Sequence, residues 1–150
     1  MTVPTPETKT HSRPTLDAAT QQTLLDRARD VAQRAYVPYS NFPVGAAALT
    51  ADGSIFAGAN VENASYPAGI CAERAAVGAA VAQGLTRFRA VAVVTDADRP
   101  TPPCGMCRQV LVEFAPALPV VSVGRGGVEA RWTLDALLPA PFIPDSMSRV

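Results

Sequence analysis

Apolar residues recur at helical spacing near the start of the chain. Four of them form one stripe at positions i, i+4, i+7 and i+11: Leu24, Ala28, Val31 and Ala35. Arg27, Asp30 and other charged residues lie away from this stripe, so the pattern predicts an amphipathic helix over residues 16–36. We expect the helix to stop near Val37-Pro38, because a proline cannot continue it.

Shorter runs of small and apolar residues predict the strands of a sheet. The five predicted strands are Val44–Ala51, Ser54–Val61, Ala90–Thr95, Pro119–Val123 and Val128–Trp132. The first two flank Asp52-Gly53, which is a strong hairpin signal. The continuous apolar run Ala90–Thr95 is typical of a buried strand that is covered on both faces.

Three further helices are predicted along the chain. Cys71–Gln83 is rich in alanine and is followed by Gly84, a natural C-terminal stop. Cys107–Phe114 is the second, and Thr133–Leu138 is a short third helix with Thr133 as its N-cap. The resulting order α-β-β-α-β-α-β-β-α predicts an α/β fold, with a mixed sheet of about five strands and helices on both faces.

Composition narrows the kinds of protein that this chain could be. Its 150 residues suit one domain, and 48% hydrophobic with 17% charged content excludes a disordered or nucleic-acid-coating protein. The 13 basic and 13 acidic residues balance, so we expect no nucleic-acid partner and a small neutral ligand instead.

The start of the chain differs in composition from the rest. Residues 1–14 are polar and rich in Thr and Pro, so we predict a disordered extension before a single domain over residues 15–150. The sole histidine, His11, lies in that extension and is expected to be a solvated tail residue. No apolar run reaches the ~18 residues that span a bilayer, and residues 1–13 have no signal-peptide core, so we expect a cytoplasmic protein without a membrane partner.

The three cysteines lie in two short stretches. Cys104 and Cys107, if they open a helix, share one face at i, i+3, and Cys71 can approach from a second helix. Three thiolates suit Zn²⁺ and leave the fourth tetrahedral position for water, as in catalytic sites. Structural zinc sites normally have four protein ligands, and a redox C-x-x-C would leave Cys71 without a role. One disulfide with a free thiol is the remaining interpretation, and it does not suit a cytosolic protein.

Charged residues accompany both cysteine stretches. Glu73 lies two residues after Cys71, about 200° around a helix, so it is predicted to be a proton-transferring carboxylate rather than a fourth ligand. Its alternative role is to stabilise the first turn of the helix through the helix dipole. Arg74 and Arg108 would favour thiolates over thiols, or they could be solvated helix charges.

These residues resemble the zinc deaminases, which use three cysteines, or a histidine and two cysteines, with a non-ligand glutamate. The first motif begins with Cys71 rather than His, so the chain is similar to the free-nucleoside cytidine deaminase family. The resemblance runs from about Tyr36 to Phe142. It includes three motifs besides the one at Cys71: Val37-Pro38-Tyr39-Ser40-Asn41-Phe42, Asn60-Val61-Glu62-Asn63-Ala64-Ser65-Tyr66 and Pro103-Cys104-Gly105-Met106-Cys107-Arg108.

The resemblance implies a three-layer α/β/α fold of the cytidine-deaminase type, and a role for each matching residue. It implies that Cys71, Cys104 and Cys107 hold Zn²⁺, with Glu73 as the catalytic proton shuttle. It places Arg74 at the zinc thiolates, and leaves the role of Arg108 open. The residues that it assigns to substrate binding are Phe42, Asn60, Glu62, Ala64, Tyr66 and Phe142.

Each of these assignments has an alternative in which the residue is only structural. Asn60 and Glu62, the implied ribose-binding pair, could instead satisfy hydrogen bonds of a turn. Phe42 could pack in the core, and Phe142 could anchor a proline-rich tail at the surface. In the family, the equivalents of Ala64, Tyr66 and Phe142 complete a neighbouring subunit's pocket in a homotetramer.

The function that the resemblance implies is hydrolytic deamination of cytidine and 2′-deoxycytidine, with release of ammonia, through zinc-activated hydroxide and Glu73. One alternative is a deaminase of another aminated pyrimidine nucleoside, such as a blasticidin-type drug. The other is a non-catalytic zinc-binding module, which predicts four protein ligands and no ammonia release.

Overall fold

A computed structural model of the protein describes residues 16–147 as a layered α/β domain. Its strands are β1 Val44–Thr50, β2 Ile55–Ala59, β3 Phe88–Thr95, β4 Pro119–Val123 and β5 Glu129–Thr133. Its α-helices are α1 Ala18–Ala32, α2 Ala72–Val81, α3 Gly105–Phe114 and α4 Leu134–Leu137. The predicted extension over residues 1–14, with His11, lies outside the described residues. None of the described helices has the length and apolar character that a membrane span requires.

The five strands form one mixed sheet in the order β2-β1-β3-β4-β5. β1 runs antiparallel to both β2 and β3, β3 and β4 are parallel, and β5 returns antiparallel to β4. The turn between β1 and β2 contains Gly53 at φ +90°, a left-handed conformation that glycine adopts without strain. The predicted hairpin and the mixed sheet of five strands are therefore confirmed.

Alternate residues of β1 and β3 point into two separate cores. Ala47 and Leu49 pack with Ala92 and the α1 residues Leu24 and Ala28 on one face of the sheet. The residues between them belong to the core under α2, α3 and α4: Ala46, Ala48, Val91 and Val93. Because helices cover both faces, the predicted three-layer α/β/α architecture is confirmed.

Two glycines allow helices to lie directly on the sheet. A Cβ on Gly45 would lie 1.9 Å from the carbonyl oxygen of Ala28 in α1. A Cβ on Gly58 would lie 2.4 Å from the backbone nitrogen of Ala76 in α2. The absence of a side chain at Gly58 therefore sets the distance between β2 and α2, the helix that follows Cys71.

The prediction that the first helix continues to about Val37 is wrong, because α1 ends at Ala32. The chain beyond it is held in an extended conformation by pairing with residues after β2. Tyr36 N–H donates to Asn60 O at 3.0 Å, and Glu62 N–H donates to Tyr36 O at 2.8 Å. These long-range bonds replace the helical ones, although Ala35 continues the local apolar pattern.

The predicted end of the second strand also differs from the structure, and the predicted N-cap of the last helix lacks its side-chain bond. The second strand ends at Ala59, so Asn60 and Glu62 follow it rather than continuing along one strand face. Thr133 occupies the N-cap position of α4, but its side chain makes no capping hydrogen bond.

Candidate metal centre

The three cysteines come together where two helices begin. Cys71 is the N-cap residue of α2, and Cys104 is the N-cap residue of α3. Both have extended backbone and neither side chain caps its helix, so both sulfurs are free to point elsewhere. Cys107 lies in the first turn of α3 and is buried. Both cysteine stretches therefore open helices, as predicted from the sequence.

The spacing of the sulfurs suits a tetrahedral zinc ion. The Sγ atoms of Cys71 and Cys104 are 3.8 Å apart, and all three Sγ atoms lie within 4.8 Å of one another. Two thiolates on one Zn²⁺, with bonds of ~2.3 Å at the tetrahedral angle, are separated by about 3.8 Å. The three cysteines are free rather than disulfide-bonded, so the disulfide interpretation is wrong. The residues therefore fit the predicted zinc.

The number of protein ligands separates an open site from a closed one. Within residues 16–147, the group that could hold a metal comprises these three cysteines and no fourth His, Cys, Asp or Glu. Three protein ligands are the usual number in catalytic zinc sites, and four in structural ones. The geometry among the described residues therefore matches the catalytic kind.

The thiols ionise unequally in the absence of a cation. Burial raises the pKa of the Cys71 and Cys107 thiols, and the negative charge of Glu73 raises both further. Burial also opposes ionisation of Cys104, but hydrogen bonds from Cys107 and Cys71 outweigh it and lower the pKa of this thiol. Three thiolates beside a carboxylate repel one another, so full ionisation requires a cation among them.

Glu73 lies in the first turn of α2 and is almost fully buried, with 5% of its surface exposed. Burial raises the pKa of its carboxyl, opposed by a hydrogen bond from Cys107 and by the charge of Arg74. A pKa raised towards the working pH suits a group that both accepts and returns protons. Helix-dipole stabilisation alone does not require burial, since a solvated carboxylate interacts with a helix N-terminus without a desolvation cost.

The two arginines next to the cysteines have different surroundings. Arg74 donates from Nη2 to the carbonyl oxygen of Gly69 at 2.9 Å, and its Nε is buried with no hydrogen-bond partner among residues 16–147. An unpaired buried donor close to Cys71 and Glu73 is consistent with a site for negative charge. Arg108 donates instead to two backbone carbonyls, those of Pro103 and Leu137, at 2.7 and 2.8 Å.

A cavity of about 670 Å³ opens above the cysteines. Its wall includes Cys71, Cys104 and Glu73, which places the candidate metal and the buried carboxylate inside one chamber. Four of the predicted substrate-binding residues also line it: Phe42, Asn60, Glu62 and Tyr66. This volume falls in the range of small-molecule sites, ~300–1,000 Å³.

Asn60 and Glu62 shape the loop that carries Phe42. The Asn60 side chain accepts from Val44 N–H at 2.8 Å and donates to Phe42 O at 2.9 Å. Glu62 Oε2 accepts from the N–H groups of Tyr39 and Ser40, at 2.9 and 3.2 Å. Hydrogen bonds from Ser40 and Tyr39 hold the pKa of Glu62 below its usual range, so it is a carboxylate at neutral pH. Asn60 and Glu62 therefore make the loop hydrogen bonds that were expected of them in a purely structural role.

The remaining predicted residues lie at the surface of the described chain. Tyr66 is 76% exposed at the cavity rim, where its ring meets the edge of Tyr39 with centroids 6.0 Å apart. Ala64 and Phe142 are exposed and do not line the cavity. The backbone of Phe142 is held by both polar atoms of the Gln109 side chain, at 2.7 and 3.2 Å. In one chain, these two residues therefore do not reach the site.

The cavity is also lined by two threonines that no sequence motif marked. Thr95, at the end of β3, and Thr101, in the loop before Cys104, lie with their hydroxyl oxygens 3.1 Å apart. Thr101 N–H also donates to the hydroxyl of buried Ser122, at 3.1 Å. No local motif marks these residues, because they meet where the loop after β3 folds back over the strand end, next to Ser122 of β4.

Fold and site together define a class of protein. Three cysteines at two helix N-termini, with a buried glutamate beside them on an α/β/α sheet, form the arrangement of zinc-dependent deaminases. A family model described as the cytidine and deoxycytidylate deaminase zinc-binding region matches residues 18–123. The chain belongs to this family, as the sequence motifs predicted.

Individual proteins and structures in the comparison agree. The chain is 46% identical over 130 residues to a cytidine deaminase of Halalkalibacterium halodurans, covering 85% of this chain and 98% of that protein. It is 44% identical over 126 residues to a cytidine deaminase of Sporosarcina psychrophila, covering 83% and 93%. A crystal structure of cytidine deaminase from Burkholderia pseudomallei superposes with a TM-score of 0.78 at 45% identity, covering 81% of this chain and 98% of that one.

Proposed function

We propose that the protein hydrolytically deaminates cytidine and 2′-deoxycytidine to uridine and 2′-deoxyuridine, with release of ammonia. The observation that carries this proposal is the placement of Cys71, Cys104 and the buried Glu73 in the wall of one nucleoside-sized cavity, with the sulfur of buried Cys107 within 4.8 Å of the other two. The family membership and the 46% identity to a cytidine deaminase support the same reaction.

Cys71, Cys104 and Cys107 would hold the metal. Zn²⁺ bound there supplies Lewis-acid chemistry that lowers the pKa of water to ~7, so that hydroxide is available at neutral pH. Cys104 is the most exposed of the three thiols, and hydrogen bonds from Cys107 and Cys71 lower its pKa. The buried Cys107 would complete the set once a cation offsets its cost of ionisation.

Glu73 would move the protons. Its carboxylate takes a proton from the attacking water and delivers it to the ring nitrogen N3 of the pyrimidine. As the tetrahedral intermediate at C4 collapses, Glu73 takes the remaining proton of the new C4 hydroxyl group and passes it to the amine. The C4–N bond then breaks, the C4 carbonyl forms and ammonia leaves. The burial of Glu73 keeps the proton out of bulk solvent between these steps, and its raised pKa makes these transfers accessible.

Phe42, Asn60 and Glu62 would hold the nucleoside. The ring of Phe42, 37% exposed at the cavity, offers an apolar wall to a pyrimidine face. Glu62 uses Oε2 for the loop N–H groups, which leaves Oε1 as an acceptor for a ribose hydroxyl. Asn60 donates one of its two amide hydrogens to Phe42 O, so the second remains for the sugar.

The active assembly would be a homotetramer in which neighbouring subunits complete the pockets. Support comes from the exposed apolar side chains of Tyr66 and Phe142, with 76% and 60% exposure. Tyr66 lies at the cavity rim, and exposed aromatic residues are typical of an interaction surface. A cytoplasmic location remains a prediction from the sequence.

Substitution of Glu73 tests the mechanism, and Glu113 provides a matched control. Glu73→Gln should keep zinc at one ion per chain but lose most ammonia release from cytidine, since an amide cannot shuttle the proton. Glu113→Gln makes the same change at an exposed position of α3 and should leave turnover intact. Near-normal turnover by Glu73→Gln would remove Glu73 from the mechanism. Assays with cytidine, cytosine and a blasticidin-type nucleoside separate the proposed reaction from its enzymatic alternative. If none of these substrates released ammonia, a non-catalytic zinc-binding module would be favoured.

A further inference from the structure

The side chain of Arg108 connects the loop that carries Cys104 to the C-terminal part of the fold. Its Nε donates to the carbonyl oxygen of Pro103 at 2.7 Å, and its Nη1 donates to that of Leu137 at 2.8 Å. Pro103 immediately precedes Cys104, and Leu137 is the last residue of α4. One guanidinium therefore holds together two backbone segments that are separated by more than 30 positions in the chain.

Arg108 holds the backbone on both sides of Cys104. Its backbone N–H donates to Cys104 O at 3.0 Å, while its side chain holds Pro103 O. These two carbonyls belong to the peptide groups before and after the Cys104 Cα, so the bonds restrain the backbone from which its side chain extends. The backbone bond survives replacement of the side chain by leucine or lysine, whereas the bond to Pro103 O depends on the guanidinium.

The position of Cys104 needs such support more than that of Cys107, the other ligand on α3. Cys107 is buried and packed within α3, whereas Cys104 is exposed at the N-cap and its side chain makes no capping bond. Pro103 is buried, so its carbonyl has little solvent with which to replace a lost donor. Both contacting donors of Arg108 are directed at carbonyls rather than at sulfur.

We propose that Arg108 is a positioning residue for the metal site, which holds Cys104 in its ligand geometry by clamping Pro103 to the end of α4. This inference rests on the proposed zinc function and deepens it. A planar guanidinium presents its donors as a rigid fork and can reach two carbonyls at once, which a lysine ammonium on a flexible stem cannot reproduce. The clamp also makes the affinity for zinc depend on α4, although no residue of α4 is a ligand.

Three variants test the clamp through zinc binding itself. Arg108→Leu keeps the aliphatic packing but removes both bonds, and Arg108→Lys removes the fork while keeping the charge. The matched control is Gln109→Leu, which removes the neighbouring contacts from α3 to the backbone of Phe142 without touching the Cys104 loop. The measurements are the zinc dissociation constant, from competition with a chromophoric chelator, and the increase in Tm that zinc gives to each apoprotein.

We expect Arg108→Leu to weaken zinc binding by about tenfold to a hundredfold, the usual effect of removing a partner that orients a metal ligand. Arg108→Lys should fall between this variant and the wild type, and Gln109→Leu should stay within about twofold of the wild type. The zinc-dependent increase in Tm should shrink for the Arg108 variants, because that increase follows the affinity. A merely structural role would lower the Tm of apo and zinc-loaded protein equally and leave the increase unchanged.

The outcomes separate this inference from the proposed function. Unchanged zinc affinity in a folded Arg108→Leu or Arg108→Lys variant would overturn the clamp while leaving the zinc site intact. Equal weakening by Gln109→Leu would also overturn it, since the effect would then belong to the C-terminal segment in general. A wild-type protein that binds no zinc and releases no ammonia from cytidine would instead refute the proposed function.

Discussion

A single methyl group on Gly58 should disturb both the packing of α2 and the metal site. A Cβ at this position would lie 2.4 Å from Ala76 N and 2.5 Å from Ala72 O, both backbone atoms of α2. Backbone atoms in a helix cannot rotate away as a side chain can, so α2 must move as a body. Because Cys71 caps α2 and Glu73 lies in its first turn, that movement would shift a ligand and the proton-transferring carboxylate together.

Gly78→Ala is the matched control for Gly58→Ala, because it adds the same methyl to the same helix–strand layer. A Cβ on Gly78 meets nothing within 4 Å, on the exposed side of α2. Alanine in place of glycine inside a helix stabilises by about 1 kcal/mol. Gly58→Ala also gains ~0.4–1 kcal/mol in the free energy of unfolding, because alanine makes the unfolded chain less flexible. The overpacking against α2 costs ~1–3 kcal/mol, which outweighs this gain. The two variants should therefore shift stability in opposite directions.

Thermal and urea unfolding, with zinc content, measure the effect. A difference of about 1–4 kcal/mol between the variants corresponds to ~2–16 °C in Tm for a chain of this length. Zinc retained after dialysis should fall for Gly58→Ala and remain at wild-type level for Gly78→Ala. If Gly58→Ala were as stable as Gly78→Ala, or were less stable but kept full zinc affinity, the argument that this contact positions the metal site would be refuted.

Two further predictions concern acid stability and assembly. Hydrogen bonds from Thr50 and Ser54 lower the pKa of Asp52 in the folded protein. The carboxylate therefore stabilises the fold above its unfolded pKa of ~3.9. This contribution is lost as the pH falls through the lower pKa of the folded state. Asp52→Asn should therefore be less stable than wild type at pH 7 in urea unfolding, with the gap narrowing below about pH 4; a constant gap would contradict this. Phe142→Ala should raise KM for cytidine at unchanged zinc content, and light scattering should show a wild-type tetramer; a fully active monomer would rule out shared pockets.

Local patterns were sufficient to predict the elements that build the site. The two cysteine stretches combine residue types that bind zinc with positions that begin helices, and Asp52-Gly53 marks the hairpin between β1 and β2. Both features depend on neighbours within a few positions. The end of α1 is different, because the apolar pattern continues to Ala35 while the backbone of Tyr36 pairs with residues after β2. A pairing between segments that are distant in the chain leaves no signal in the local sequence.

The partners of polar side chains were also beyond prediction from local patterns. Arg108 stands beside Cys107, and proximity in sequence suggested a charge near the thiolates, yet its donors reach Pro103 and Leu137. The hydroxyl pair of Thr95 and Thr101 forms because the loop after β3 folds back over the strand end. In each case the tertiary fold, rather than the spacing in the sequence, selects the partner.

The burial of Glu73 is the feature that a purely structural interpretation of the site does not explain. A glutamate that only complements a helix dipole gains as much at the solvent-exposed side of the first turn and avoids desolvation. Here the carboxyl is 5% exposed, its pKa is raised by burial, and it lies next to thiols whose ionisation it opposes. This arrangement lowers the stability of the apoprotein, because no cation offsets the buried negative charges. A bound cation and a proton remove that cost. A site that is destabilised until it holds a cation and a proton is suited to a reaction that uses both.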